Sequence, residues 1–334
     1  MATLPPDAHF SIVFTNGHLL MEMPERLTVL EAVAFKKACQ DLLNSNYEPA
    51  EILLDFNPTQ FLDSSGVGAL VHNFKAAQEQ GKNLILCNVN PPVMAVLEMT
   101  GLDGVFEIRT LPSQTSLVSN SNLTTNAELP ATHPSIKSWI KRGIDIIGSL
   151  VGLTITLVLF LPIAIAIKRD SRGPIFFSQT RCGWLGKSFK IVKFRSMCMD
   201  AESLKDKIPN QASGPFFKNY TDPRITRVGS FLRRTSLDEL PQFWNVLKGE
   251  MSLVGTRPPT PDEVERYEVP EWRRLNVKPG MTGEWQVHGR SRVRKFEEVI
   301  ELDLRYQENW SLSYDIQLIL KTILILFHKN SGAF

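Results

Sequence analysis

Cysteine is scarce in this 334-residue chain, and the four present stand apart from one another. Cys39, Cys87, Cys182 and Cys198 form no Cys-x-x-Cys pair and have no histidine cluster beside them. That spacing argues against a zinc site and leaves buried, reduced thiols as the expectation. The first residues, MATLPPDAHF, lack the basic start and apolar run of a cleaved leader, so the first module is expected in the cytoplasm. Positive charge is thin at the front. Residues 1–125 carry 6 Lys and Arg against 13 Asp and Glu, a net of −7, while the remainder carries 31 against 22, a net of +9. An acidic part followed by a basic one implies two modules with different partners. Basic surface suits anionic lipid, nucleotide or nucleic acid. Lys and Arg vanish from residues 112–136, where Ser, Thr, Asn and Pro gather, and this stretch is expected to be a flexible linker.

The rest of the composition is ordinary. At 43% hydrophobic and 22% charged, the chain has apolar side chains for about two domain cores. The expected division is a first domain over 1–111, the linker 112–136 and a second domain over 137–334. In the first, SIVF and LLMEM flank Asn16-Gly17, a two-residue hairpin signal. A helix over about 28–45 precedes ILLDF (52–56), which reads as a buried strand. VGALVHNFKAAQEQ (67–80) has helical periodicity and ends at Gly81. LILCNV (84–89) reads as a strand, PPVMAVLEMTG (91–101) as a helix opened by proline, and VFEI (105–108) as a last strand. Strands alternating with short helices predict an α/β fold with a mixed sheet.

The second domain opens on 22 residues without a charge, Ile146–Ile167, long enough to cross a bilayer core of about 30 Å. Two features oppose a simple span. Pro162 lies inside the run, where it removes a helix hydrogen bond. Lys137, Lys141 and Arg142 precede the run and Lys168, Arg169 and Arg172 follow it, whereas spanning helices carry their basic bias on one side. A re-entrant helix over about 141–168, broken at Pro162 and returning to the same face, fits both. A straight span and a buried hairpin remain the alternatives. Near the end, IQLILKTILILF (316–327) is too short to span and reads as an interfacial or docked helix. A nucleic-acid-binding protein would account for the basic half but not for the apolar run, so no nucleic-acid partner is expected.

Chemistry concentrates in SLDELPQFWNVLKGEMSLVGTRP (236–258). Asp238 and Glu239 stand at an expected helix start, preceded by Arg224, Arg227, Arg233 and Arg234 and followed by Arg257 in a Gly/Pro loop. Acids, guanidinium groups and a helix N-terminus together suit chemistry on phosphate. Ser236-x-x-Glu239 equally fits a capping box with no catalytic meaning. KPGMTGEWQVHGR (278–290) adds Lys278, Arg290 and glycine turns that allow close backbone approach to an anion.

The long stretches 141–197, 222–258 and 278–290 resemble, in order, the bacterial sugar transferase family of monotopic polyprenyl-phosphate phosphoglycosyl transferases. The resemblance implies an α+β, mainly helical domain on the inner (cytoplasmic) membrane, with membrane lipids as partners and both domains facing the cytoplasm. It implies transfer of a phosphosugar from a nucleotide sugar, a UDP-sugar by preference, to polyprenyl (undecaprenyl) phosphate as the initiating step of exopolysaccharide or glycan synthesis. Asp238 would be the nucleophile and Glu239 the Mg²⁺ ligand, with substrate phosphates held by Arg233, Arg257, Arg290, Lys193, Arg195 and Lys278. Thr256 departs from the family pattern, which usually has proline there. A catalytically inactive anchor for a signalling module is the alternative.

FLDSSGVGAL (61–70), set between ILLDF and a helix, is similar to the STAS domain of anti-sigma-factor antagonists over about residues 8–110. That likeness implies a regulatory domain with Ser64 as a phosphorylation site and a kinase or anti-sigma-like protein as partner. Asp63 and Ser64 also read simply as helix caps.

Overall fold

The computed structural model describes residues 10–15, 18–44, 51–111, 133–212, 214–215, 217, 219, 221–289, 293 and 295–327. The chain forms two units. The first holds residues up to Thr132 together with Leu185–Lys187 and Tyr267–Asn276, and the second holds His133–Trp184, Ser188–Arg266 and Val277 onward. Two short pieces from beyond the expected linker therefore fold with the first unit. Residues 112–132 of the expected linker lie outside the described residues. Its last residues are ordered: His133 caps a short helix that begins at Pro134.

In the first unit, β1 (Ile12–Thr15), β2 (His18–Glu22), the two-residue β3 (Arg26–Leu27), β4 (Glu51–Asp55), β5 (Phe61–Leu62), β6 (Asn83–Cys87) and β7 (Glu107–Arg109) alternate with α1 (Val29–Asn44), α2 (Ser64–Glu79) and α3 (Pro91–Thr100). The main sheet has the order β1-β2-β4-β6-β7. β1 and β2 pair antiparallel as the hairpin signal predicts, although Asn16 and Gly17 lie outside the described residues, and the other pairs are parallel. Central strands β4 and β6 bury Ile52, Leu53, Leu54, Leu84, Ile85 and Leu86, as a sheet covered on both faces requires. α1 turns Ala32, Phe35, Cys39 and Leu43 inward at helical spacing. The mixed α/β fold stands as expected. α2 starts at Ser64, three residues before its expected start, because the Asp63 side chain accepts from the backbone N–H groups of Ser65 and Gly66.

The second unit opens with α4 (Pro134–Lys137) and α5 (Trp139–Asp170), one uninterrupted helix that contains Pro162. The expected break is thus not an interruption of the helix. β8 (Phe176–Cys182) and β9 (Ser188–Phe194) pair antiparallel from Phe176↔Phe194 to Cys182↔Ser188. α6 (Arg227–Arg234), a 3₁₀ turn (Leu237–Gln242) and α7 (Phe243–Lys248) follow. β10 (Ser252–Val254) and β11 (Gly280–Thr282) pair in parallel, with α8 (Pro261–Glu265) between them in sequence. α9 (Phe296–Glu308) and α10 (Leu312–Phe327) close the unit.

α5 packs on this unit along its length. Lys141 Nζ donates to Val254 O and pairs with Asp315 at 2.5 Å, while Arg142 donates to the carbonyls of Val246 and Leu247. Asp145 accepts from Ser252 Oγ and Leu253 N, and Thr156 Oγ1 lies 3.3 Å from Leu240 O. Beyond Pro162, Ile163 and Ile167 join a core with Phe194 and Leu232, and Asp170 accepts from Val228 N.

Candidate active site

α6 comes within backbone contact of the segment that follows β9. A Cβ on Gly229 would lie 1.9 Å from Ser196 O, so only glycine allows the approach. It brings Arg233, in the last turn of α6, beside Ser196, whose Oγ accepts from Arg233 Nε at 3.0 Å. The chain then reverses through Ser236, which takes a left-handed conformation with φ of 56° and donates its backbone N–H to Arg233 O. Ser236 therefore finishes α6 instead of capping the next turn. The capping box expected from Ser236 and Glu239 does not form, and Ser236 Oγ has no partner. The reversal carries Asp238 inward, where it is only 6% exposed.

Asp238 lines a pocket of about 420 Å³ together with Arg181, Lys193, Arg195, Arg233 and Arg257. β8 contributes Arg181 and β9 contributes Lys193. Arg257 follows β10, and Glu263 of α8 grips it bidentately, Nη1 to Oε2 at 2.7 Å and Nη2 to Oε1 at 3.0 Å. Thr260 and Glu263 form the capping box of α8, so the acid that holds Arg257 is itself fixed. Thr256 does not displace this arginine from the pocket: its carbonyl accepts from Gly280 N in a bridge to β11. Arg195 donates to the carbonyls of Ser171 and Arg172, the residues that end α5, where cations are favoured by the helix dipole.

The electrostatics await an anion. Burial pushes the Arg181 guanidinium down to about 10, and nearby Arg257 adds to that. Burial also lowers Arg233, with Asp238 acting against it. Arg181 Nε and Arg195 Nε are buried and have no protein partner. Buried N–H groups left unpaired cost free energy that a ligand oxygen would recover. Glu239 stands at the pocket's edge in an ion pair with Lys193 at 2.8 Å.

Of the predicted residues, the fold therefore brings together Asp238, Arg233, Arg257, Lys193, Arg195 and, through Lys193, Glu239. Lys278 falls elsewhere. It lines a small polar cavity with Lys141, Arg142 and Asp145, and burial first, then Arg142, lowers its pKa. The glycine turn beside it serves β11 and not the pocket. Arg290 lies outside the described residues. Arg227 and Arg234 are exposed, whereas Arg224, held in a fork by Asp222 at 2.7 Å, also lines the pocket. Arg181 and Glu263 went unread in the sequence. The pattern Thr260-Pro-Asp-Glu263 is a helix-start signal that marks Glu263, but nothing local singles out Arg181 within its strand.

Among the described residues no cluster of three His, Cys, Asp or Glu could cage a metal. Mg²⁺ needs less, since it is commonly held by one or two carboxylates plus substrate phosphates. Glu239 next to Asp238 fits that donor set, and it would hold the ion only if its carboxylate gave up its pairing with Lys193. Bound there, Mg²⁺ would neutralise diphosphate charge.

Three of the four thiols are as expected, while Cys198 is free but half-buried. Cys39, Cys87 and Cys182 are buried and unpaired, and burial pushes Cys39 up to about 12 and the other two to about 11.

Residues 9–114 match the STAS domain model, in agreement with the sheet order and the helix opened at Asp63. A galactosyl transferase, CpsE, of Streptococcus agalactiae is 49% identical over 188 residues, which are 56% of this chain and 42% of that protein. A UDP-galactose-lipid carrier transferase of Erwinia amylovora is 42% identical over 202 residues, 59% of this chain and 42% of that protein. The chain thus spans less than half the length of these two relatives. The exopolysaccharide production protein ExoY of Rhizobium meliloti is 37% identical over 202 residues, 59% of this chain and 88% of its own length. Residues 136–329, which hold the whole pocket, match the bacterial sugar transferase model, and the chain belongs to that family.

Proposed function

We propose that this protein transfers a sugar 1-phosphate from a nucleoside diphosphate sugar, a UDP-sugar by preference, to polyprenyl (undecaprenyl) phosphate, the first step in building a lipid-linked glycan or exopolysaccharide. The observation that carries this reading is a buried carboxylate, Asp238, facing a pocket of five arginines, two of which hold unpartnered N–H groups. Asp238 attacks the phosphorus that bears the sugar. An Oδ–P bond forms, and the bond to the nucleoside monophosphate breaks and releases it. The phosphate oxygen of the lipid then attacks the same phosphorus and frees Asp238. Arg181, Arg233 and Arg257 neutralise the charge on the phosphoryl oxygens as it shifts.

The contacts of α5 support a monotopic placement, which we assign to the cytoplasmic face. The helix's polar contacts begin at Lys141 and continue to Asp170, all to the unit that carries the pocket. A straight span would draw Ser252 and Val228 into hydrocarbon with it, whereas a helix lying along the interface with its apolar side in one leaflet keeps them out of the hydrocarbon core. The inactive-anchor alternative leaves the charge cluster without a purpose. We read the STAS-like unit as regulatory, with Ser64 as the group a partner kinase would modify. Ser64 is fully buried, so the residues above it must leave first.

The test is Asp238→Asn in the purified protein with UDP-sugars, polyprenyl phosphate and Mg²⁺. UMP release is expected to fall by about 10⁴-fold or more, and the phosphosugar adduct seen by mass spectrometry with wild type is expected to vanish. An adduct on another residue, or wild-type turnover by the variant, would remove Asp238 from this role.

A further inference from the structure

Tyr267–Asn276 belongs to the first unit, although the residues before and after it belong to the second. Three contacts hold it there. Ser64 Oγ lies 2.6 Å from both Trp272 O and Asn276 Oδ1, and Ser64 N donates to the same Asn276 oxygen at 3.1 Å. Trp272 lies on α2 where the helix has no side chain. A Cβ on Gly68 would come within 2.3 Å of the indole, and one on Gly186 within 3.2 Å. On α1, Lys36 pairs with Glu268 at 2.7 Å. Within the segment Arg274, fully buried, donates to Tyr267 OH. Two glycines that leave room for one indole, and a serine wholly covered by one segment, make a fitted receptor surface.

What flanks the segment gives the contact a consequence. One residue upstream of it ends α8, whose Glu263 grips Arg257. Downstream, after Val277, Lys278 and Pro279, comes β11, whose partner β10 leads into Arg257. Both covalent exits of the docked segment therefore reach the support of a single pocket arginine.

We infer that the α1–α2 face of the first unit is a binding surface whose partner is this chain's own segment 267–276, and that docking of the segment positions Arg257 through Glu263. Glu263 is a positioning residue. A protein that recognised the same face, or any group added to Ser64, would compete with the segment. The Ser64 hydroxyl proton is shared between two carbonyl oxygens, and a substituent on Oγ removes that proton and puts bulk in its place. The inference rests on the pocket being a phosphate site, so its test includes a measurement free of turnover.

The experiment follows backbone hydrogen exchange in the full chain together with affinity for inorganic pyrophosphate. Lys36→Glu sets a second carboxylate against the exposed Glu268 and is expected to raise exchange over 267–276 about two- to fivefold. Exchange over α8 and β11 is expected to rise with it, and pyrophosphate binding to weaken by a similar factor. Lys36→Glu with Glu268→Lys should restore all three. Gly68→Leu should give a larger change of the same pattern, and if it unfolds β4 and β6 the charge swap decides alone. Loosening confined to 267–276, with α8, β11 and pyrophosphate affinity unmoved, would overturn the positioning role. No loosening under Lys36→Glu or Gly68→Leu would overturn the binding surface. Pyrophosphate affinity that Arg257→Ala leaves intact would instead sink the phosphate-pocket reading, while exchange still tests the docking.

Discussion

The first unit hides Leu19, Met21, Leu54, Leu86 and Val96, and its ion pairs, such as Arg109 with Glu51, lie at least partly in solvent. The second unit hides Lys141, Asp145, Asp222, Arg224, Asp238, Asn245 and Asp315. Outside, it shows Trp139, Ile147, Val158, Leu161, Trp244 and Leu324. One chain thus applies two solvation rules. Water surrounds the first unit and rewards burial of apolar surface. The second leaves apolar groups outside, as a lipid interface on one side of it would allow, and its polar groups turn inward to satisfy each other. The same inversion places the Asp238 carboxylate and its neighbouring guanidinium groups in a sheltered pocket, where electrostatic interactions are less screened than in water.

The comparison breaks first at Lys141. Its ammonium, the Asp315 carboxylate and the Tyr306 hydroxyl form one buried network around Val254 O. Lys141→Met leaves Asp315 buried without its cation and is expected to cost about 3–5 kcal/mol in denaturant unfolding. Lys141→Met with Asp315→Leu should recover most of that loss. A cost near zero for the single variant would mean that water reaches the cluster, and the second unit would then follow the same rule as the first.

Legibility divides along the same line. In the first unit, alternation and caps gave every main-sheet strand to within two residues, because one solvent and one core generate simple periods. In the second, polarity did not predict side. Leu237, Leu240, Phe243, Trp244 and Leu247 read as a packed face, yet Trp244 is 51% exposed while Gln242 and Asn245 are buried. Asn245 donates to Lys190 O and Glu250, and accepts from Val192 N, which ties α7 to β9. The acid pair was visible only in company with its arginines and through likeness to a family. Lys278 was misplaced because nearness to a glycine turn in sequence says nothing of which strand the turn serves. The docking of 267–276 depends on contacts about 200 residues apart, such as Ser64 with Asn276, that no local pattern encodes.

A smaller effect is expected at Asp222. Burial pushes its carboxyl up, but the Arg224 fork and backbone N–H outweigh that and hold it below the usual carboxylate range. A depressed folded pKa contributes stability at pH above the unfolded value of about 3.9, and that contribution is lost as pH falls through the folded value. Asp222→Asn should therefore cost about 1.5–3 kcal/mol at pH 7, with wild type and variant converging as the pH is lowered below about 4. Parallel stability curves from pH 7 to pH 3 would show that the pair is not what holds the loop between β9 and α6.

The smallest effect on folding is expected where the apolar surface is greatest. Leu157 on α5 is 76% exposed and Leu324 on α10 is 65% exposed, and neither is needed to fill a core. Replacing either by Gln should change folding stability by no more than about 0.5 kcal/mol, as for most surface positions. If these side chains sit in lipid, each loses the roughly 1.5–3 kcal/mol that a leucine gains on leaving water. Leu157→Gln with Leu324→Gln should then float poorly with anionic phospholipid vesicles while melting like wild type in detergent. A matched pair in the first unit, Lys37→Gln with Glu79→Gln, should alter neither measurement. Retained flotation would show that the exposed leucines do not face lipid, and a large loss of stability would show that they are covered by protein; either result would abolish the contrast between the two units.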